Sequence, residues 1–113
     1  MVSNGQGGCP VLRLLAEGWM VAILGELAQG PFRPCELERR LPGAPHAVVM
    51  RRLKQLLVCG AATRERSRGR PPRVHYALTQ AGRELLQIAT QGAEWERRFA
   101  KRAAPDEEPS APS

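Results

Sequence analysis

The chain has 113 residues, 42% hydrophobic and 25% charged, with 17 Lys and Arg against 11 Asp and Glu. That is the length of one domain with an ordinary allowance of core residues, but its net charge is +6 and all but two of its cations are arginine. Three cysteines are too few and too scattered for a disulfide framework, no spacing suits a zinc site, and the longest strongly apolar run, WMVAILG, cannot span a bilayer. The first residues, MVSNGQGGCP, lack the basic and apolar regions of a leader. The expectation is a cytoplasmic protein with reduced thiols, no metal and no cofactor.

The charge is unevenly spread. Residues 33–83 hold twelve Lys and Arg and three Glu, whereas 105–113 hold three acids and no base. Such a basic middle resembles an electrostatic footprint more than a solubility coat, and arginine's planar fork suits phosphates and base edges. Double-stranded DNA is therefore the leading partner. No Ser/His/Asp arrangement, paired carboxylates or phosphate loop is present, so an enzyme is not expected.

Residues 1–8 and 104–113 are Gly-, Pro- or acid-rich and are expected to be disordered, leaving a domain over 9–103. Pro10 opens a short helix carrying Val11, Leu12, Leu14 and Leu15, which Gly18 breaks. In the second helix Trp19, Ile23, Leu24 and Leu27 recur at helical spacing until Gly30-Pro31 stops it. A third, RPCELERRLPG, has Pro34 at its start and Leu37 and Leu41 on its inner face. After the Pro42-Gly43 turn, Pro45 opens a fourth helix with Val49, Leu53, Leu56 and Leu57 inside. Its outer face carries His46, Ala47, Met50, Arg51 and Lys54. Two helices across a short turn, the second amphipathic with a basic outer face, describe a helix-turn-helix.

Beyond Gly60 the period changes from 3.6 to 2. Arg64, Arg66 and Arg68 would share one face of a strand, and Val74, Tyr76 and Leu78 one face of the next, opposite Arg73 and His75. Gly69 to Pro72 forms the tip between them, because Pro-Pro cannot join a ladder. Thr79 then caps a last helix in which Leu85, Leu86, Ile88, Ala89, Trp95 and Phe99 exceed what a small monomer buries. The fold class is α+β, mainly α: a winged helix-turn-helix with a two-stranded β wing and a C-terminal dimerisation helix.

This order of elements resembles the HxlR-type winged helix-turn-helix regulators, relatives of the MarR group. The resemblance rests on CPV at 9–11, GW at 18–19, Ile23 to Pro31, and residues 36–43 and 52–56. It continues through PPRVHYALTQAGREL at 71–85 and Trp95. It implies a homodimer held by the first and last helices, through Val11, Leu12, Leu15, Leu85, Ile88, Trp95 and Phe99. It also implies operator DNA as ligand, with the fourth helix in the major groove and the wing on the neighbouring backbone or minor groove. Some members sense electrophiles or oxidants through a cysteine at the place of Cys9. Family members commonly cap the fourth helix with serine, where this chain has Pro45.

Each assignment has a blander counterpart. The wing arginines, Arg64, Arg66, Arg68, Arg70 and Arg73, could be a solvated face, although like charges at period 2 repel without a polyanion. Arg51 and His46 read base edges or are merely exposed. Arg52 lies toward a phosphate or folds against the third helix. Cys9 is a helix-start thiolate or an inert small residue; Cys35 shares that choice, and Cys59 is expected to pack. The reading is a repressor acting as a homodimer, with a small-ligand-responsive regulator and a protein-interaction module as alternatives.

Overall fold

The computed structural model describes residues 10–100, with the side chain of Ala100 excepted. The expected disordered ends and Cys9 lie outside these residues. Among the described residues five α-helices and a two-stranded sheet follow one another: α1 Pro10–Leu15, α2 Met20–Leu27, α3 Pro34–Arg40, α4 His46–Val58, β1 Ala62–Arg66, β2 Val74–Leu78 and α5 Gln80–Trp95. A π-helical segment, Glu96–Ala100, extends the last helix. No described helix is long and apolar enough to cross a membrane.

The core forms where the apolar stripes converge. Met20, Ile23, Leu24 and Leu27 of α2 meet Leu37 and Leu41 from α3 and its end, Val49, Leu53 and Leu56 of α4, Tyr76 and Leu78 of β2, and Leu85 of α5. Burial of such side chains contributes roughly 1.5–3 kcal/mol each. Two expectations are corrected here. Trp19 precedes α2 rather than opening its stripe, and Met20, fully buried, holds the inner place. Leu85, expected between subunits, is buried at 8% exposure within its own subunit, because it faces β2 and α2 where α5 crosses them.

Glycine is required where α4 ends. The Ala61 N–H bonds the Leu56 carbonyl (2.8 Å) and the Gly60 N–H bonds that of Leu57 (3.1 Å). This paired closure needs a left-handed residue between helix and strand, which Gly60 supplies at φ +81°. The chain then enters β1 without an intervening loop.

The sheet pairs β1 with β2 antiparallel, Ala62 opposite Leu78, Arg64 opposite Tyr76 and Arg66 opposite Val74. The ladder ends at Arg66; Ser67 and Arg73 close its outer end through Ser67 N–H to Arg73 O (2.8 Å) and Arg73 N–H to Ser67 Oγ (3.2 Å). Arg68 lies beyond the strand, at the tip, instead of continuing the face of Arg64 and Arg66. A third extended piece, without a signal in the residue pattern, lies against this hairpin. Phe32 exchanges both backbone hydrogen bonds with Tyr76 (3.0 and 2.8 Å) on the free edge of β2.

The motif ALTQAGREL, Ala77–Leu85, joins wing to helix. Thr79 Oγ1 accepts the Gly82 N–H (3.1 Å) as the expected cap and donates to the Gly60 carbonyl (2.7 Å). A Cβ at Gly82 would stand 2.1 Å from the Ala61 carbonyl oxygen and 2.7 Å from Leu78 Cδ1. Only glycine lets the first turn of α5 lie this close to the strand.

Candidate nucleic-acid interface

The outer face of α4 is positioned by its inner one. With Val49, Leu53 and Leu56 fully buried, helical geometry leaves Ala47, Arg51 and Lys54 exposed on the opposite side. His46, at the start of the helix, is exposed, but its Nδ1 lies 2.5 Å from Glu38 Oε2 on α3. Pro45 supplies no side-chain cap, so this contact and α3 packing fix the helix start. Met50, expected on the outer face, is half-buried and packs against the core, because it sits at the edge of the apolar stripe.

In the wing, the ladder register sorts charge by sign. Residues opposite one another in an antiparallel pair share a face, so Arg64 and Arg66 lie on the side of Tyr76 and Val74. Glu65 points to the other side, where its carboxylate meets His75 Nε2 across the strands (3.1 Å). The hairpin's one acid is thereby occupied by a histidine. Arg64, Arg66, Arg68, Arg70 and Arg73 are all exposed and make no ion pair with any described residue. The same holds for Arg39, Arg51, Lys54 and Arg83.

Arg33 pairs with Glu36 Oε2 three residues on (3.6 Å). Two further arginines of this basic middle are also engaged, and their sequence neighbourhoods carried no signal of it. Arg40 of α3 stacks over the Phe32 ring (4.7 Å), and bonds Glu26 Oε1 (2.6 Å) and Gln29 Oε1 (3.2 Å) of α2 and its end. Arg52 of α4 is 7% exposed. It neither reaches outward nor folds against α3. Its Nε donates to the Gly18 carbonyl (2.9 Å), Nη1 to Gln55 Oε1 (2.9 Å), and Nη2 lies 3.3 Å from Glu17 Oε1.

Glu36, in the first turn of α3, accepts the Arg33 N–H at 2.8 Å. That bond, aided by the charges of Arg33 and Arg39 against slight desolvation, holds its carboxyl below the ordinary carboxylate range. Cys35 and Cys59 are both exposed and free. Cys59 was expected to pack; it follows the last turn of α4 and its thiol donates weakly to the Leu56 carbonyl (3.6 Å). No group of three or more His, Cys, Asp or Glu that could hold a metal occurs among the described residues.

A second surface lies between α1 and α5. Leu12, Leu15 and Ala16 line one wall of a groove, and Ile88, Ala89 and Trp95 the other. Leu12, Val21, Ile88, Trp95 and Phe99 are exposed there and beyond, with the Trp95 and Phe99 rings 5.5 Å apart; Val11 and Leu15 are half-buried against the core.

Known proteins match this arrangement. The HxlR-like helix-turn-helix family profile matches residues 14–104. An HTH-type transcriptional regulator of Synechocystis sp. is 36% identical over 94 residues, 77% of this chain and 70% of that protein. The reduced form of the transcriptional regulator YodB from B. subtilis superposes with a TM-score of 0.74 at 27% identity, covering 81% of this chain and 94% of YodB. The redox regulator HypR in its oxidized form gives 0.68 at 30% identity over 80% of this chain and 96% of HypR. With its two-stranded wing behind a helix-turn-helix, the chain belongs to the HxlR-like helix-turn-helix family of DNA-binding transcriptional regulators, and is not an enzyme.

Proposed function

We propose that the protein is a repressor that occupies operator DNA as a homodimer. The observation that carries this is the set of cations on α4 and the wing that no described acid neutralises. Such a surface is costly to assemble unless a polyanion covers it. Arg51 reads a base edge in the major groove, with Ala47 and Lys54 beside it and His46 at the helix entry. Arg68 and Arg70 enter the minor groove at the wing tip, and Arg64, Arg66 and Arg73 bond phosphates. The exposed apolar face of α1 and α5, with Leu12, Ile88, Trp95 and Phe99, is the surface for the second copy.

The signal in this proposal is an electrophile or oxidant acting at Cys9. The likeness to the redox regulator HypR supports that reading. A second reading has a small apolar ligand in the α1–α5 groove, which its lining favours. Selection of bound duplexes from random DNA, with and without a quinone, tests both. The expected outcome is one enriched sequence, lost on oxidation in the parent protein and retained in Cys9→Ser. Loss of binding in Cys9→Ser on adding the same inducer would favour the groove, and no enrichment at all would overturn the operator reading. Within the enriched site, Arg51→Ala should cost about 1–3 kcal/mol of discrimination between bases, whereas Arg64→Ala should weaken all duplex DNA alike.

A further inference from the structure

Arg52 stands on the recognition helix yet has its guanidinium committed inward. Its bonds run to Gly18 and Glu17, the turn between α1 and α2, and to Gln55 one turn along its own helix. That turn carries backbone hydrogen bonds of its own. Glu17 and Met20 donate to Leu14 and Glu17 carbonyls (both 3.1 Å), and Trp19 is forced into the left-handed region at φ +69°, uncommon for a bulky side chain. The Trp19 ring comes within 3.9 Å of where a Gly43 Cβ would lie, so the same turn also meets the bend between α3 and α4. Gly18 and Trp19 thus meet the helix-turn-helix at α4 and at the bend that precedes it.

From this geometry we infer that Arg52 is a positioning residue for sequence readout, acting through α4 and not on DNA. The deduction rests on the reading that α4 carries the base contacts. Arg51 and Lys54 flank Arg52 in sequence but emerge on the exposed side. Three donor groups in a planar fork, pinned to a backbone carbonyl, a carboxylate and a side-chain amide, fix both the rotation of α4 and its distance from the turn. A lysine offers a point charge in place of the fork and cannot hold all three. The turn also carries Ala16, which lines the α1–α5 groove, so the clasp is a polar tie between that groove and the reading helix.

The test compares the parent protein with Arg52→Lys and Glu17→Gln on its selected site and on random duplex DNA, across a salt series, at a temperature where circular dichroism shows each variant folded. The expected result for Arg52→Lys is about a tenfold loss on the selected site, the size of one impaired bidentate base contact. Affinity for random DNA and the slope of log affinity against log salt stay as in the parent. Glu17→Gln, which removes one strand of the clasp at a half-exposed carboxylate, gives a smaller loss of the same kind. A phosphate-binding Arg52 would instead keep its contact as lysine, leaving both affinities unchanged, and that outcome overturns the inference. Equal losses on both DNAs also overturn it, as does a parental specificity ratio in both folded variants. If the parent itself ignores duplex DNA, the operator reading fails first, and separately.

Discussion

Two faces of this small protein are unfinished in opposite ways. The side formed by α4 and the wing presents arginines without counter-charges, whereas the groove between α1 and α5 presents leucine, isoleucine and tryptophan without a cover. The charged face wants a partner whose attraction acts over a Debye length and weakens with salt. The apolar one wants a partner of matching shape, and its association is nearly indifferent to salt. A regulator needs both. In the proposed homodimer the first would supply grip on a duplex, and the second would set two reading helices at a fixed separation, so that a palindrome can be recognised.

Ionic strength separates the faces most sharply. If a dimer neutralises about 6–10 phosphates, its affinity for duplex DNA should fall by roughly 10³–10⁵ between 50 and 200 mM salt. Sedimentation over the same range should show the dimer unchanged. A DNA affinity that stays level would break the comparison at its charged end.

Next in size is a charge placed on the apolar face. Ile88→Asp should raise the dimer dissociation constant about 100-fold, as a carboxylate loses water without gaining a partner. Its thermal midpoint at high dilution should not change, because Ile88 is exposed in the single subunit. An unaltered sedimentation profile would mean that this face does not join two copies.

Gly82→Ala is the control that belongs to neither face. The added methyl would collide with the Ala61 carbonyl and Leu78, so overall stability should drop by about 1–3 kcal/mol in denaturant titration. Both functions should then fail together on heating. A variant as stable as the parent would show that α5 can shift without cost.

The smallest effect concerns acid. Glu36 has its carboxyl lowered by the Arg33 N–H, so the stability it adds is present in full above its ordinary value of 4.5 and fades as pH falls below it. Glu36→Gln should flatten that part of the stability–pH curve and leave neutral pH nearly alone. The side chain is about one-third exposed, which keeps the effect small. An identical curve for both proteins below pH 4.5 would remove Glu36 as a contributor.

Sequence periodicity carried the architecture a long way. Apolar spacing in α2 and α4, the switch to period 2 after Gly60, and the Thr79 cap all point to elements that the fold contains. These signals are local, and local geometry decides them. Gly82 was visible inside the motif at 71–85, but the clash that demands glycine there arises from Ala61 and Leu78, residues brought near by folding.

The arginines mark the limit. Composition alone fixed that this chain is cationic, rich in guanidinium and segregated in charge, because those are sums over residues. It could not distinguish Arg51, exposed, from Arg52, clasped to Gly18, since neighbours on a helix differ by 100° in direction and only the packed turn between α1 and α2 gives one of them a partner. Likewise Glu65 reads as an acid among arginines until strand register turns it toward His75. Kind and amount of charge are properties of the chain; which charges remain available is decided by what the tertiary structure sets opposite them.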